Sequence, residues 1–264
     1  MQNFLDFKGK SALVTGATGA IGQGIVQGLA QCGARVFITD LKQEAVDATA
    51  KAFAAAGLDV AGLAADVTNE AQVKAVVDAA AARFGNVIDI LVNVAGVAGQ
   101  NPVEQITEKE WDFVFAVNCK GTFFFVKHVA PLMKARKRGK IVNFASKSGK
   151  TGSALCCHYS AAKGAIITLT QALAYEFAKD QINVNCVCPG ITDHTGVWNF
   201  MSANYIENLK QEREQVVKQF TSKVPLGRLA SIEDVVDVTV FLCSPGSDYM
   251  TGQAVNITGG REMH

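Results

Sequence analysis

The chain has almost no charge imbalance. Its 25 Lys and Arg face 24 Asp and Glu, a formal net charge of +1, which removes the electrostatic case for a nucleic-acid or acidic-lipid partner. It has no run of 18 apolar residues, so no membrane span is expected. Residues 1–10 carry neither an apolar h-region nor a lipidation motif, so no export or anchoring is expected. The seven cysteines are odd in number and scattered, and none has Cys-x-x-Cys spacing. That argues against a disulfide framework and a zinc site, and leaves seven free thiols suited to a reducing compartment. A cytoplasmic protein with no metal is the expectation. Repeats, low-complexity tracts and linkers are missing too, so residues 1–264 should form one domain, with 49% apolar residues for its core.

What is present is a regular alternation. Ser11-Ala-Leu-Val-Thr15 is a short apolar run, broken by Gly16-Ala17-Thr18-Gly19-Ala20-Ile21-Gly22. A helical pattern covers 20–32 and closes at Gly33, and 35–39 reads as a second strand ending at Asp40. Strand, glycine-rich turn, helix, strand and an acid 18 residues past Gly22 is the context a dinucleotide-binding fold requires. The glycines let backbone N–H groups approach a pyrophosphate at a helix N-terminus. Asp40 can bind the adenosine ribose hydroxyls, and its charge would repel a 2′-phosphate.

Further strands are expected at 60–64, 88–92, 140–144, 182–187 and 254–257, and helices at 43–56, 69–84, 108–133 and 155–179. The helix at 108–133 should be interrupted near Asn118 and Gly121. Buried strands alternating with helices imply a Rossmann-type doubly wound α/β fold, with a parallel sheet of about seven strands covered on both faces. Ligands then gather at the carboxyl ends of the strands.

One helical stretch carries chemistry. In His158-Tyr159-Ser160-Ala161-Ala162-Lys163 the phenol and the ammonium are four residues apart, on one helix face. A cation held near a phenol favours the phenolate, so Lys163 is expected to lower the Tyr159 pKa and make Tyr159 a general acid/base for an alcohol or carbonyl. Ser146 precedes this pair by thirteen residues.

Together these residues resemble the short-chain dehydrogenase/reductase family over essentially the whole chain. Thr15, Gly16 and Gly22 match its glycine turn, with Ala20 standing where the middle glycine is expected. Asp66-Val67 matches the pair flanking the adenine, and Asn93-Val94-Ala95-Gly96 matches Asn-Asn-Ala-Gly except at Val94. The resemblance implies catalytic positions Asn118, Ser146, Tyr159 and Lys163. It implies an NAD cofactor held by Gly16, Thr18, Gly19, Ile21, Gly22, Asp40, Asp66, Val67, Asn93, Ala95, Gly96, Tyr159, Lys163 and the loop Pro189, Gly190, Ile191, Thr192. In that reading Ser146 donates to the developing oxyanion and Asn118 holds a water linking Lys163 to solvent. A homotetramer is implied as well.

Within the family the sequence is most similar to sorbitol and sorbitol-6-phosphate 2-dehydrogenases. The implied reaction is oxidation of a secondary alcohol of a polyol or its phosphate. The alternatives are an NADH-linked reductase of a diketone, acetoin or a 3-oxoacyl compound, and a non-catalytic NAD-binding protein. Pocket candidates are Ser148, Ser153, His158, Trp198 and Asn199, polar as a polyol requires, under a substrate lid at about 193–222. Residues 207–218 read as an amphipathic lid helix. For His158 a packing role at a helix start is a commoner reading than a ligand role. Lys147 and Lys150 could hold a phosphate, although solvated lysines are the commoner case. The basic run 134–140 reads as a helix C-terminus complemented by cations.

Overall fold

The computed structural model describes residues 5–209 and 212–264. The first apolar run forms β1 (Ser11–Thr15), an interior strand of the sheet buried along its whole length. To one side lie β2 (Arg35–Thr39) and β3 (Val60–Gly62). To the other lie β4 (Ile90–Asn93), β5 (Gly139–Phe144), β6 (Ile182–Pro189) and β7 (Ala254–Ile257). The order is β3-β2-β1-β4-β5-β6-β7 and every pairing is parallel.

The strand pleat sorts neighbouring residues between two cores. Val14, Val92 and Val142 face one layer, with α1 (Ala20–Gln31), α2 (Gln43–Ala55) and α10 (Ile232–Cys243). Leu13, Leu91 and Ile141 face the other, with α3 (Glu70–Arg83), α5 (Gly121–Arg136) and α7 (Cys157–Phe177). Strands covered on both faces have no polar alternation, which is why they read as unbroken apolar runs.

β1, β2 and β7 fall on their expected bounds, and the other expected elements move by one to three residues. Asn69 caps α3 through hydrogen bonds to its side chain from the Ala71 and Gln72 N–H groups. The sequence pattern yields no element between 223 and 253, whereas the structure has α10 there, started by a capping box between Ser231 and Asp234. It lies close on α1, where a Cβ at Gly24 would stand 2.7 Å from Val236 Cγ2. The expected interruption near Asn118 is a π-helical turn, Ala116–Lys120, between α4 (Glu108–Phe115) and α5.

After β5 come α6 (Ser148–Thr151) and then α7; after β6 come α8 (Gly196–Leu209) and α9 (Arg213–Thr221). The single amphipathic helix expected at 207–218 is therefore two helices; its Lys210 and Gln211 lie outside the described residues. The basic run closes α5, with Lys137 in the left-handed conformation. Arg136 pairs with Asp89 at 3.0 Å, Lys134 with Glu176 at 3.2 Å, and Lys140 with Asp248 at 2.7 Å. These cations complement the helix end and nearby acids. Among the described residues no helix is long and apolar enough to cross a membrane, no His, Cys, Asp and Glu are grouped to hold a metal, and the seven cysteines are free.

Candidate active site

The carboxyl ends of β1, β2, β4, β5 and β6 bring the motif residues to one edge of the sheet. At the first turn, Gly22 cannot carry a side chain, since a Cβ would lie 2.2 Å from the Gly16 carbonyl oxygen. Gly19 caps α1 without a side-chain oxygen, leaving first-turn N–H groups and the positive helix end for an anion. Ala20 begins α1, and Ile21 packs against the first core. The Thr15 hydroxyl accepts from the Ala95 N–H at 3.1 Å, tying β1 to the turn after β4. This cradle fits a dinucleotide.

Asp40 also organises the turn. Its Oδ2 accepts from the Thr18 N–H at 3.0 Å and the Thr18 hydroxyl at 2.6 Å, and Oδ1 accepts from the Leu41 N–H at 2.8 Å. Asp66 is likewise partly spent locally, accepting from the Thr68 N–H and hydroxyl. Val67 packs against Gly121 and the second core. Asn93, expected beside the cofactor, keeps its Oδ1 without a partner. Its side chain is buried and donates to Asn143 Oδ1 at 2.9 Å, and Asn143 in turn donates to the Thr170 hydroxyl at 3.0 Å. As the last residue of a fully covered strand, Asn93 is thereby linked through Asn143 to Thr170 of α7. The Pro189–Thr192 loop is pinned by Gly190 N–H to the Ile257 carbonyl, 2.9 Å, and Ala230 N–H to the Ile191 carbonyl, 3.0 Å.

Ser146, Tyr159, Lys163 and Asn118 converge from three segments. The Ser146 hydroxyl accepts from the Ser148 N–H at 3.1 Å, leaving its own proton directed at the Tyr159 phenol. Tyr159 and Lys163 are buried side by side on α7, with the Lys163 Nζ 5.7 Å from the Tyr159 ring centre. The ammonium donates to the Phe144 carbonyl at 2.8 Å. Burial pushes the Tyr159 phenol up to about 12, only partly opposed by a hydrogen bond from Ser146. Burial also pulls Lys163 down to about 8. The phenol is thus raised rather than lowered, because burial disfavours its ionised form more than the Ser146 hydrogen bond favours it.

Asn118 owes its position to the π turn. Backbone bonds there span five residues, and the Val114 carbonyl lies one turn before Asn118. The Asn118 side-chain Nδ2 takes it at 2.9 Å and also donates to the Val97 carbonyl at 2.9 Å. Its Oδ1 is buried without a partner. A Cβ on Gly96 would stand 2.7 Å from that Oδ1 and 3.2 Å from Lys163 Nζ. The open face of Gly96 therefore joins an unused acceptor to the ammonium.

The pocket candidates divide. Ser148 and Ser153 are hydrogen-bonded to each other through their hydroxyls at 2.8 Å. His158 and Trp198 are buried, and His158 Nδ1 and Trp198 Nε1 have no partner. Trp198 meets Phe220 edge-on at 5.6 Å between ring centres, joining α8 to α9. Asn199 is exposed. Lys150 donates to the Ala254 carbonyl at 2.8 Å, and Lys147 lies 3.9 Å from Glu262 in a half-buried group with Arg261. Both lysines are thus engaged within the protein rather than presented to a phosphate. Gln100, in the loop after β4, was not singled out by the sequence, yet it is buried with neither amide atom partnered.

Known proteins of this shape were found by sequence and by structure. Residues 16–262 match the family model described as enoyl-(acyl carrier protein) reductase. The chain is 41% identical to galactitol 2-dehydrogenase of Agrobacterium fabrum, over 96% of this chain and 98% of that protein. It is 38% identical to sorbitol dehydrogenase of Cereibacter sphaeroides, over 97% and 98%. Among solved structures, NAD+-bound xylitol dehydrogenase superposes with a TM-score of 0.92 at 32% identity, covering 96% of this chain and 99% of that one. A single-residue variant of actinorhodin polyketide ketoreductase with NADPH also gives 0.92, at 34% identity, covering 97% and 98%.

Proposed function

The chain belongs to the short-chain dehydrogenase/reductase family, an oxidoreductase acting on CH–OH donors with a nicotinamide cofactor, and from that premise we propose that it is an NAD-dependent dehydrogenase oxidising a secondary alcohol of an unphosphorylated sugar alcohol to the ketose. The observation that carries this is the convergence of Ser146, Tyr159, Lys163 and Asn118 at the carboxyl edge of the sheet. The similarity to galactitol, sorbitol and xylitol dehydrogenases supports the polyol. The internal engagement of Lys147 and Lys150 favours a neutral substrate over a phosphate ester.

In this reading the bound cofactor supplies the hydride acceptor, seated on the glycine turn, Asp40 and the Pro189–Thr192 loop. Tyr159 takes the hydroxyl proton at its phenolic oxygen. Ser146 donates to the same substrate oxygen as charge develops there, a fixed dipole that needs no reorganisation. Lys163 Nζ and Asn118 Oδ1, facing each other across Gly96, pass the proton on through a water. Asp40 selects NAD, because its carboxylate would oppose a 2′-phosphate. Helices α8 and α9, within 193–222, form the lid.

Residues 1–264 act as one domain, and the free thiols suit a cytoplasmic setting. Trp111, Phe113 and Phe123 are substantially exposed on α4 and α5, as subunit contacts of a homotetramer would be; light scattering at micromolar concentration should give four chains' mass, and a monomer refutes it. The likeness to a polyketide ketoreductase supports a second reading, reduction of a 3-oxoacyl compound. Initial rates with galactitol, sorbitol, xylitol, their phosphates, small diols and a 3-oxoacyl thioester, each with NAD(H) and NADP(H), separate the two. Turnover of no sugar alcohol would overturn the proposal.

A further inference from the structure

Three segments meet around the start of α7, and each brings a buried polar group that has no partner. The loop after β4 contributes Gln100, 5% exposed, with neither Oε1 nor Nε2 hydrogen-bonded. The first turn of α7 contributes His158 Nδ1, and the first turn of α8 contributes Trp198 Nε1. The segments are packed into one cluster. Val97 and Ala98 of the loop, Cys156 and Tyr159 at the start of α7, and Met201 of α8, one turn beyond Trp198, share an apolar core. Gly99 lies against the His158 ring so closely that a Cβ there would reach 1.9 Å from Nε2. The loop is fixed on both sides of Gln100, by the Asn118 amide on the Val97 carbonyl and by the Asn101 N–H on the Leu155 carbonyl at 2.8 Å.

A buried amide with all its hydrogen bonds unmade is costly and is rarely kept without use. The loop around Gln100 has spent its own bonds on holding its path, while the Gln100 side chain has spent none. We propose that Gln100 is a specificity-determining residue, whose amide hydrogen-bonds substrate hydroxyls away from the carbon being oxidised, beside His158 and under the first turn of α8. This rests on the sugar-alcohol reading above. The chemistry matches that class: an amide offers an acceptor oxygen and a two-proton donor within one plane, and a polyol hydroxyl both donates and accepts. His158, neutral because burial lowers its pKa despite the opposing pull of Glu110, and the Trp198 N–H extend the row. All three groups are uncharged, which fits a neutral polyol chain.

The test is Gln100→Met, which keeps length and removes both polar atoms, with Gln100→Leu as a second variant. For galactitol, sorbitol or xylitol, KM should rise about 10- to 100-fold with kcat little changed. For a short secondary alcohol with no further hydroxyl, or its ketone in reverse, kcat/KM should stay within about twofold. The unliganded variants should melt about 2 °C or more above the wild type, since an unpaired buried amide has been replaced by an apolar chain. A merely structural Gln100 would lower the melting temperature and weaken all substrates alike, and either result overturns the inference, as does loss of fold in both variants. Wild-type protein active on sugar alcohols with equally active variants overturns this inference alone. Wild-type protein inactive on every sugar alcohol overturns the dehydrogenase reading together with it.

Discussion

Lys163 sits 5.7 Å from the centre of the Tyr159 ring and gives its hydrogen bond to the Phe144 carbonyl, not to the phenol. The unliganded pair is thus held with Tyr159 protonated up to about 12 and Lys163 neutral above about 8. What would move the phenol into the working range is a positive charge brought beside it, as an oxidised nicotinamide ring carries. Absorbance at 295 nm, with Tyr159→Phe as the reference, should show this tyrosine ionising near 12 alone and below about 10 when NAD is saturating. An unliganded titration below 10 would refute the arrangement.

The same two groups set opposite slopes on stability. Tyr159 has a raised pKa, so its contribution is complete below pH 10 and is lost as pH rises toward 12. Lys163 has a lowered pKa, so its contribution is present above its unfolded value near 10.5 and lost as pH falls through 8. Lys163→Met should therefore flatten the rise in stability between about pH 8 and 10.5 in urea titrations, and an unchanged slope would count against a buried ammonium.

Tyr159→Phe should reduce kcat by about 10³-fold or more while leaving NADH affinity nearly intact, because the phenol acts on the reacting oxygen. Retention of more than about a tenth of wild-type kcat would remove Tyr159 from the acid/base role.

Asp40 should enforce a preference for NAD over NADP of about 10²-fold or more in kcat/KM, the equivalent of about 3 kcal/mol of like-charge repulsion. Asp40→Ser should relax that ratio. Because the same carboxylate accepts both the Thr18 N–H and hydroxyl, the variant should also bind NAD several-fold more weakly, by fluorescence titration. Equal use of both cofactors by the wild type would dismiss the assignment.

Asp89 is a purely structural counterpart. Its buried carboxylate accepts from the Ser11 N–H at 3.0 Å, the Ser11 hydroxyl at 3.1 Å and Arg136 at 3.0 Å, joining the starts of β1 and β4 to the end of α5. Asp89→Ala should cost about 2–4 kcal/mol in urea unfolding, since a buried N–H is orphaned while half-exposed Arg136 returns to water. A loss below about 0.5 kcal/mol would show the cluster to be dispensable.

What was legible in the sequence was local. The glycine turn, the strand–helix alternation, Asn69 as a cap and the Tyr159–Lys163 spacing are each written within a few residues. The break near Asn118 was also visible, though not its π form. Other features depend on distant parts of the chain. The link from Asn93 through Asn143 to Thr170 depends on the layer of α7 behind it, and Lys147 finds Glu262 only after β7 has been placed. The direction of the Tyr159 shift follows from burial, which no spacing reveals. Gln100 looks like any polar loop residue until its lack of partners is seen. The missed α10 is different, since Ser231 and Asp234 already spell its start.

The interior position of β1 has a consequence for how the chain is made. Its first strand leaves the ribosome first, yet pairs with β4 some 75 residues later, Ala12 with Ile90 and Thr15 with Asn93. The side holding β2 and β3 can assemble early, but the row from β4 outward is laid down one strand at a time, and β7 is last. Until it docks, β6 presents a bare edge of N–H and C=O groups beside the apolar residues Cys186 and Cys188, a template for pairing with another nascent chain. Stopping synthesis before Ala254 would therefore yield aggregates, not a smaller enzyme, and the final strand serves as the molecule's own chaperone for the one before it.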